Sequence, residues 1–137
     1  MKNILKNSGV VYLVDDDESM RKSLISLLES NGYKVDSHEN AERFLHHLAN
    51  KALHPVACLI LDIRMPGISG IELQEQLIKQ GFKLPTTFIT GHGEVKLAVQ
   101  AIKQGAIDFI QKPFQEAALC SVVDKMLLKA YLTHEKI

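Results

Sequence analysis

The 137-residue sequence predicts a single α/β domain built on a parallel sheet with helices on both faces. Three observations lead there. Five short apolar or β-branched runs alternate with five segments of helical period, which is the pattern of repeated strand–helix units. The run Val56-Ala57-Cys58-Leu59-Ile60-Leu61 is apolar without a break, as suits a strand buried on both faces. The polar residues Asp15 to Asp17, Asp62, Thr90 and Lys112 each come just after a strand, so four strand ends converge on one crevice at the carboxyl edge.

In order, Val10-Val11-Tyr12-Leu13-Val14 is the first strand and ends on Asp15-Asp16-Asp17. Glu18 to Ser30 follows as an amphipathic helix, with Met20, Leu24, Leu27 and Leu28 on one stripe and Asn31-Gly32 as a left-handed stop. Tyr33 to Ser37 is a short alternating strand, and Asn40 can cap a second helix with Phe44, Leu45 and Leu48 inward. His54-Pro55 leads into the strand that ends at Asp62 and turns through Arg64-Met65-Pro66-Gly67. Ser69 and Glu72 form a capping box ahead of Ile71, Leu73, Leu77 and Ile78, and Gly81 ends that helix. Pro85 to Thr90 is the fourth strand, broken by Gly91-His92-Gly93. Glu94 to Gln104 is helical and stops at Gly105, Ile107 to Ile110 is the fifth strand, and Gln115 to about Leu132 is the last helix. One domain over residues 1–137 is expected, with its core from about residue 9 to 130.

Sixteen basic and sixteen acidic residues cancel, so no bulk positive field favours nucleic acid or an anionic membrane. The segment Met1 to Asn7 leads into only five apolar residues, too few for a signal peptide or a membrane span, and a cytoplasmic location is the expectation. Cys58 and Cys120 lack metal-ligand or redox spacing and are read as small apolar residues. His46 and His47 point about 100° apart on a helix and are read as surface residues.

The chemistry expected of the crevice follows from its residue types. There is no G-x-G-x-x-G and no P-loop, which argues against a dinucleotide or nucleotide at the first turn. Two buried strands that deliver carboxylates to one edge repel each other unless a cation joins them, and an all-oxygen set suits Mg²⁺. One of Asp15 to Glu18 is expected to serve only as a helix cap, but capping does not explain why Asp62 also ends a buried strand.

Taken together, Val14-Asp15-Asp16, Leu61-Asp62-Ile63-Arg64-Met65-Pro66-Gly67, Thr90-Gly91-His92-Gly93 and Lys112-Pro113-Phe114 resemble the receiver domain of bacterial response regulators, from roughly Val10 to Leu128. The Arg-Met-Pro-Gly turn, the Thr-Gly-His-Gly loop and Asp108-Phe109-Ile110 look most like the FixJ-type subgroup, whose full-length members are transcription regulators. That resemblance implies a flavodoxin-like sheet in the order 2-1-3-4-5. It implies that Asp62 accepts a phosphoryl group from a sensor histidine kinase, with Mg²⁺ held by Asp16, Asp62 and the backbone carbonyl of Arg64, and by Asp15 through water. Lys112 and Thr90 would contact phosphoryl oxygens, and Thr90 with Phe109 would form the switch. Phe109 stands where many relatives have tyrosine, so no phenolic hydroxyl is available there. Arg64 and His92 match positions that tune dephosphorylation in the family. The domain is therefore expected to catalyse only its own phosphoryl transfer and dephosphorylation, and to reach DNA through an effector domain absent from this chain.

Three alternatives compete. Within the family, a stand-alone regulator could act by protein contact. An aspartyl-phosphate phosphohydrolase would want a carboxylate two residues after the nucleophile, where Arg64 stands, and a flavin carrier would want a Ser/Thr-rich phosphate loop. On the helix Glu94 to Gln104, Leu97, Ala98, Ala101 and Ile102 form the inward stripe, leaving Val95 and Val99 outside it in line with Lys103. With Asp108 available to meet Lys103 of a second copy, this face predicts a homodimer through helix 4 and strand 5 after phosphorylation.

Overall fold

The computed structural model describes residue 6, residues 8–91 and residues 93–135, the last by its backbone alone. From Val10 onward the elements alternate as expected: β1 (Val10–Val14), α1 (Glu18–Ser30), β2 (Lys34–His38), α2 (Ala41–Asn50), β3 (Ala57–Asp62), α3 (Gly70–Lys79), β4 (Thr86–Thr90), α4 (Val95–Lys103), β5 (Asp108–Gln111) and α5 (Glu116–Glu135). The strands form one parallel sheet in the order β2-β1-β3-β4-β5. The chain reverses its winding between β1 and β3, which opens a crevice at their carboxyl ends. Asp62 closes β3 itself instead of following it, and α5 runs past Leu132 to Glu135.

Alternate side chains of each strand go to opposite faces and build two cores. On one face Val11, Leu13, Cys58, Ile60 and Ile89 pack on Leu24 and Leu28 of α1 and on Leu119, Val123 and Met126 of α5. On the other, Tyr12, Val14, Leu59, Leu61 and Phe88 meet Phe44 of α2, Leu73 and Leu77 of α3, and Ala98 and Ala101 of α4. Each large apolar side chain buried this way contributes about 1.5–3 kcal/mol. Both cysteines are unpaired, Cys58 deep in the sheet and Cys120 half-buried on α5, and burial pushes both thiols up.

Local chemistry sets the helix ends. Asp17 is the cap-only carboxylate, accepting the Met20 N–H at 3.1 Å. Asn40 accepts the Arg43 N–H at 2.8 Å, and Ser69 with Glu72 closes the reciprocal capping box. At the end of α1, Gly32 takes φ +92°, and the N–H groups of Gly32 and Tyr33 satisfy the carbonyls of Glu29 and Leu28.

Two sequence expectations need correction. Ile102 is not inward: it is 37% exposed and continues the exposed line of Val95 and Val99, because the small Ala98 and Ala101 let α4 sit close on a narrow strip. His46 is a surface residue as read, but His47 is half-buried, its ring 4.8 Å from that of His38 on β2.

Gly70 fixes the position of α3 against the crevice. Its N–H donates to the Ile63 carbonyl at 2.9 Å, and a Cβ there would lie 2.2 Å from the backbone oxygen of Asp62. The nearest atoms it would meet all belong to the Asp62–Ile63 backbone, so nothing flexible is there to yield. Gly70→Ala is expected to destabilise the fold by about 1–3 kcal/mol in chemical denaturation, with backbone amide shifts at Asp62 and Ile63 moving even under native conditions.

Candidate functional site

Asp15, Asp16 and Asp62 come together at the carboxyl ends of β1 and β3, with one ligand oxygen from each within 4.8 Å of the others. Their surroundings differ. Asp15 is buried; its Oδ1 accepts the Asp17 N–H at 2.9 Å and its Oδ2 has no partner. Asp16 is exposed, and Asp62 is half-buried at the end of the central strand. The backbone around Asp15 is tied at both ends, its N–H to the His38 carbonyl at 3.2 Å and its carbonyl to the Arg21 guanidinium at 2.7 Å.

Thr90 and Lys112 stand at the carboxyl ends of the next two strands. Thr90 ends β4, fully buried, with a hydroxyl that has no hydrogen-bond partner among the described residues. Lys112 follows β5, its N–H donating to the Thr90 carbonyl at 2.9 Å, and its charge acts on both Asp15 and Asp62. Phe109 lies across from Phe88 on β5, half-buried against the α3–α4 core. Arg64 is exposed on the turn after β3. Its side chain makes an ion pair that sequence reasoning missed: Nε lies 2.6 Å from Glu94 Oε2, while the other Glu94 oxygen accepts the Gly91 N–H. Glu94 thus ties the loop after β4 to the loop after β3, on one rim of the crevice. The spacing from Gly91 to Glu94 hints at a local cap, but nothing in sequence points to Arg64 as the partner. His92 lies outside the described residues.

A model of the response regulator receiver domain matches residues 11–124 of the chain. The chain belongs to that family. The response regulator protein TodT of Pseudomonas putida is 40% identical to this receiver domain over 123 residues, 90% of this chain and 53% of TodT. The transcriptional regulatory protein FixJ of Bradyrhizobium diazoefficiens is 39% identical over 126 residues, 92% of this chain and 60% of FixJ. Among solved structures, full-length FixJ from B. japonicum superposes with a TM-score of 0.83 at 40% identity, covering 90% of this chain and 60% of that one. The receiver domain is of FixJ type, and it spans about half the length of the curated relatives it matches. Among its described residues no helix is long and apolar enough to cross a membrane.

Electrostatics make the cluster unstable as three bare charges. Burial, then the charge of Asp15, push the pKa of Asp62 up to about 7; a hydrogen bond shared with Asp16 adds to the rise and Lys112 opposes it. Burial also raises Asp15, against the Asp17 N–H and Lys112. The unpartnered Oδ2 of Asp15 and the all-oxygen donor set fit a hard divalent cation.

This sets a pH dependence. A carboxyl whose folded pKa lies above its unfolded one holds its proton longer in the folded protein. The stability this contributes is complete below about pH 4 and is lost as the pH rises toward about 7. Asp62→Asn removes the effect without changing shape. In metal-free protein at about pH 8 the variant is expected to be more stable than wild type by roughly 1–2 kcal/mol, a few degrees in Tm, once solvent screening is allowed for. At about pH 5 most of that advantage should be gone; equal melting temperatures at both pH values would contradict the assignment.

Proposed function

We propose that this receiver domain is switched by phosphorylation of Asp62, the acceptor for a phosphoryl group from a phosphohistidine of a sensor histidine kinase. The observation that carries this reading is the position of Asp62: a half-buried carboxylate at the end of the central strand, with two other carboxylates, an unpartnered threonine hydroxyl and a lysine around it. An Asp62 oxygen attacks phosphorus as the N–P bond breaks, and the imidazole nitrogen leaves with the bonding pair. Such a transfer asks for positioning and charge stabilisation more than for covalent help. Asp16, Asp62 and the Arg64 carbonyl, with Asp15 through water, would hold Mg²⁺, which when bound would supply charge neutralisation for the attacking carboxylate and the phosphoryl oxygens. Lys112 contributes a point charge to one phosphoryl oxygen, and the Thr90 hydroxyl, which has no other acceptor, donates to another. Movement of Thr90 then alters the packing of Phe109 on the neighbouring strand. Arg64 and His92 set how readily water reaches the phosphoryl group, and the Glu94 pair limits where the Arg64 side chain can go.

In this reading the output is that of a cytoplasmic transcription regulator, and contact with DNA is made by a separate effector domain. Its trigger is a homodimer across α4 and β5. Val95, Val99 and Ile102 expose 45%, 43% and 37% of their surfaces in one i, i+4, i+7 line, more apolar area than a solvated helix face needs. Lys103 borders that line, and Asp108 of a twofold-related copy offers it a charge, although one Asp108 oxygen already accepts the Phe109 N–H at 2.8 Å.

Mass spectrometry and sedimentation after incubation with acetyl phosphate and Mg²⁺ test both parts. Wild type should gain one phosphoryl group and dimerise, Asp62→Asn should do neither, and Val99→Glu should be phosphorylated yet stay monomeric because like charges would meet near the axis. Phosphorylation of Asp62→Asn at the wild-type rate would exclude Asp62 as the acceptor. A Val99→Glu dimer as tight as wild type would exclude this face.

A further inference from the structure

Away from the crevice, a second group of metal-ligating side chains meets between the edge of the sheet and α2. Asp36 and His38 are two residues apart on β2 and therefore face the same way, toward α2, from which His47 reaches down. His38 Nε2 is 3.1 Å from one Asp36 oxygen and His47 Nε2 is 3.6 Å from the other. One ligand atom from each of the three side chains lies within 4.8 Å of the other two. Metal–nitrogen and metal–oxygen bonds of about 2.0–2.2 Å in a tetrahedron put neighbouring ligand atoms roughly 3.3–3.5 Å apart. The two nitrogen–oxygen spacings, each to a different Asp36 oxygen, lie close to that value, so a small turn of the carboxylate presents one oxygen to both imidazoles.

The protein's own hydrogen bonding leaves part of this cluster unused. His38 Nε2 is buried, and although Asp36 is close, it is not aligned as a hydrogen-bond partner. The two imidazoles are tilted 58° to each other, so they are not stacked face to face, and both Nε2 atoms approach the same carboxylate. Phe44 holds the His38 ring and Tyr12 holds the His47 ring from the core side, which limits how far either can swing. His54, which is bonded through Nδ1 to the backbone of Val56, is not among the side chains whose ligand atoms meet here.

We propose that Asp36, His38 and His47 form a site for a divalent transition-metal ion of zinc type, with its fourth position open to solvent beside the partly exposed Asp36. Two imidazoles with one carboxylate are a poor set for Mg²⁺ and a good one for Zn²⁺. The ion would clamp β2, an edge strand paired only with β1 in this sheet, to the helix that covers it. The site is chemically distinct from the acidic crevice but only one backbone hydrogen bond away from it, through the His38 carbonyl and the Asp15 N–H.

The test is a calorimetric titration of the untagged chain with Zn²⁺ in excess Mg²⁺, which saturates the crevice. Wild type should take up one Zn²⁺ and melt at a higher temperature with it. His47→Gln and, as a second variant at the more exposed ligand, Asp36→Ala should bind at least about tenfold more weakly and lose the thermal shift, while circular dichroism shows each still folded. Asp16→Asn, in the crevice, should bind Zn²⁺ as wild type does. The site is overturned if wild type takes up no stoichiometric zinc, if either folded variant binds it undiminished, or if Asp16→Asn abolishes binding.

Discussion

Three carboxylates at one sheet edge, two of them drawn out of water, are the constraint on which this domain is organised. Like charges a few ångströms apart in a partly dry pocket cannot all stay ionised without an opposing charge. The domain offers Lys112 and leaves the far oxygen of Asp15 unpartnered, so the site's own side chains do not complete it. A cation or a phosphoryl group changes the charge balance of such a pocket, and nearby groups with no fixed partner are the ones free to respond. Thr90 is one of these, with a fully buried hydroxyl that finds no hydrogen-bond partner among the described residues.

The scaffold holds this unfavourable cluster because the rest of the fold is locally consistent. Apolar strands at the centre, an Asp cap, an Asn cap, a reciprocal Ser–Glu capping box and a left-handed glycine all favour the same element boundaries. The approach of α3 to the Asp62 backbone, which a glycine at position 70 permits, is what keeps the loop after β3 close to the sheet. The Arg64–Glu94 pair then joins the loops after β3 and β4 across the front of the site.

How far the sequence discloses this depends on whether a feature is local. The βα alternation, the strand ends and the residues gathered at the crevice could be read directly, because strand-end position is a one-dimensional property once the sheet is parallel. Asp17 as the spare cap was foreseeable in kind, though not by number. Features that join distant segments were not legible. Glu94 reads as the first residue of a helix, and its bonds to Gly91 and Arg64 exist only once two loops meet. His47 reads as a surface histidine because helical phase alone cannot show that β2 brings His38 and Asp36 beneath it. Ile102 was assigned inward because periodicity finds the centre of a stripe better than its margin, and the two alanines of α4 bury only a narrow strip.

Burial and neighbouring carboxylates hold the Asp62 carboxyl near its midpoint at neutral pH, and a cation in the crevice would shift it to the ionised form. A carbon-13 NMR titration of the Asp62 carboxyl measures this directly. Without metal the midpoint should fall near 7, and with saturating Mg²⁺ it should drop below about 5. A metal-free midpoint at the ordinary aspartate value of about 3.9, or one that Mg²⁺ leaves unmoved, would contradict the account.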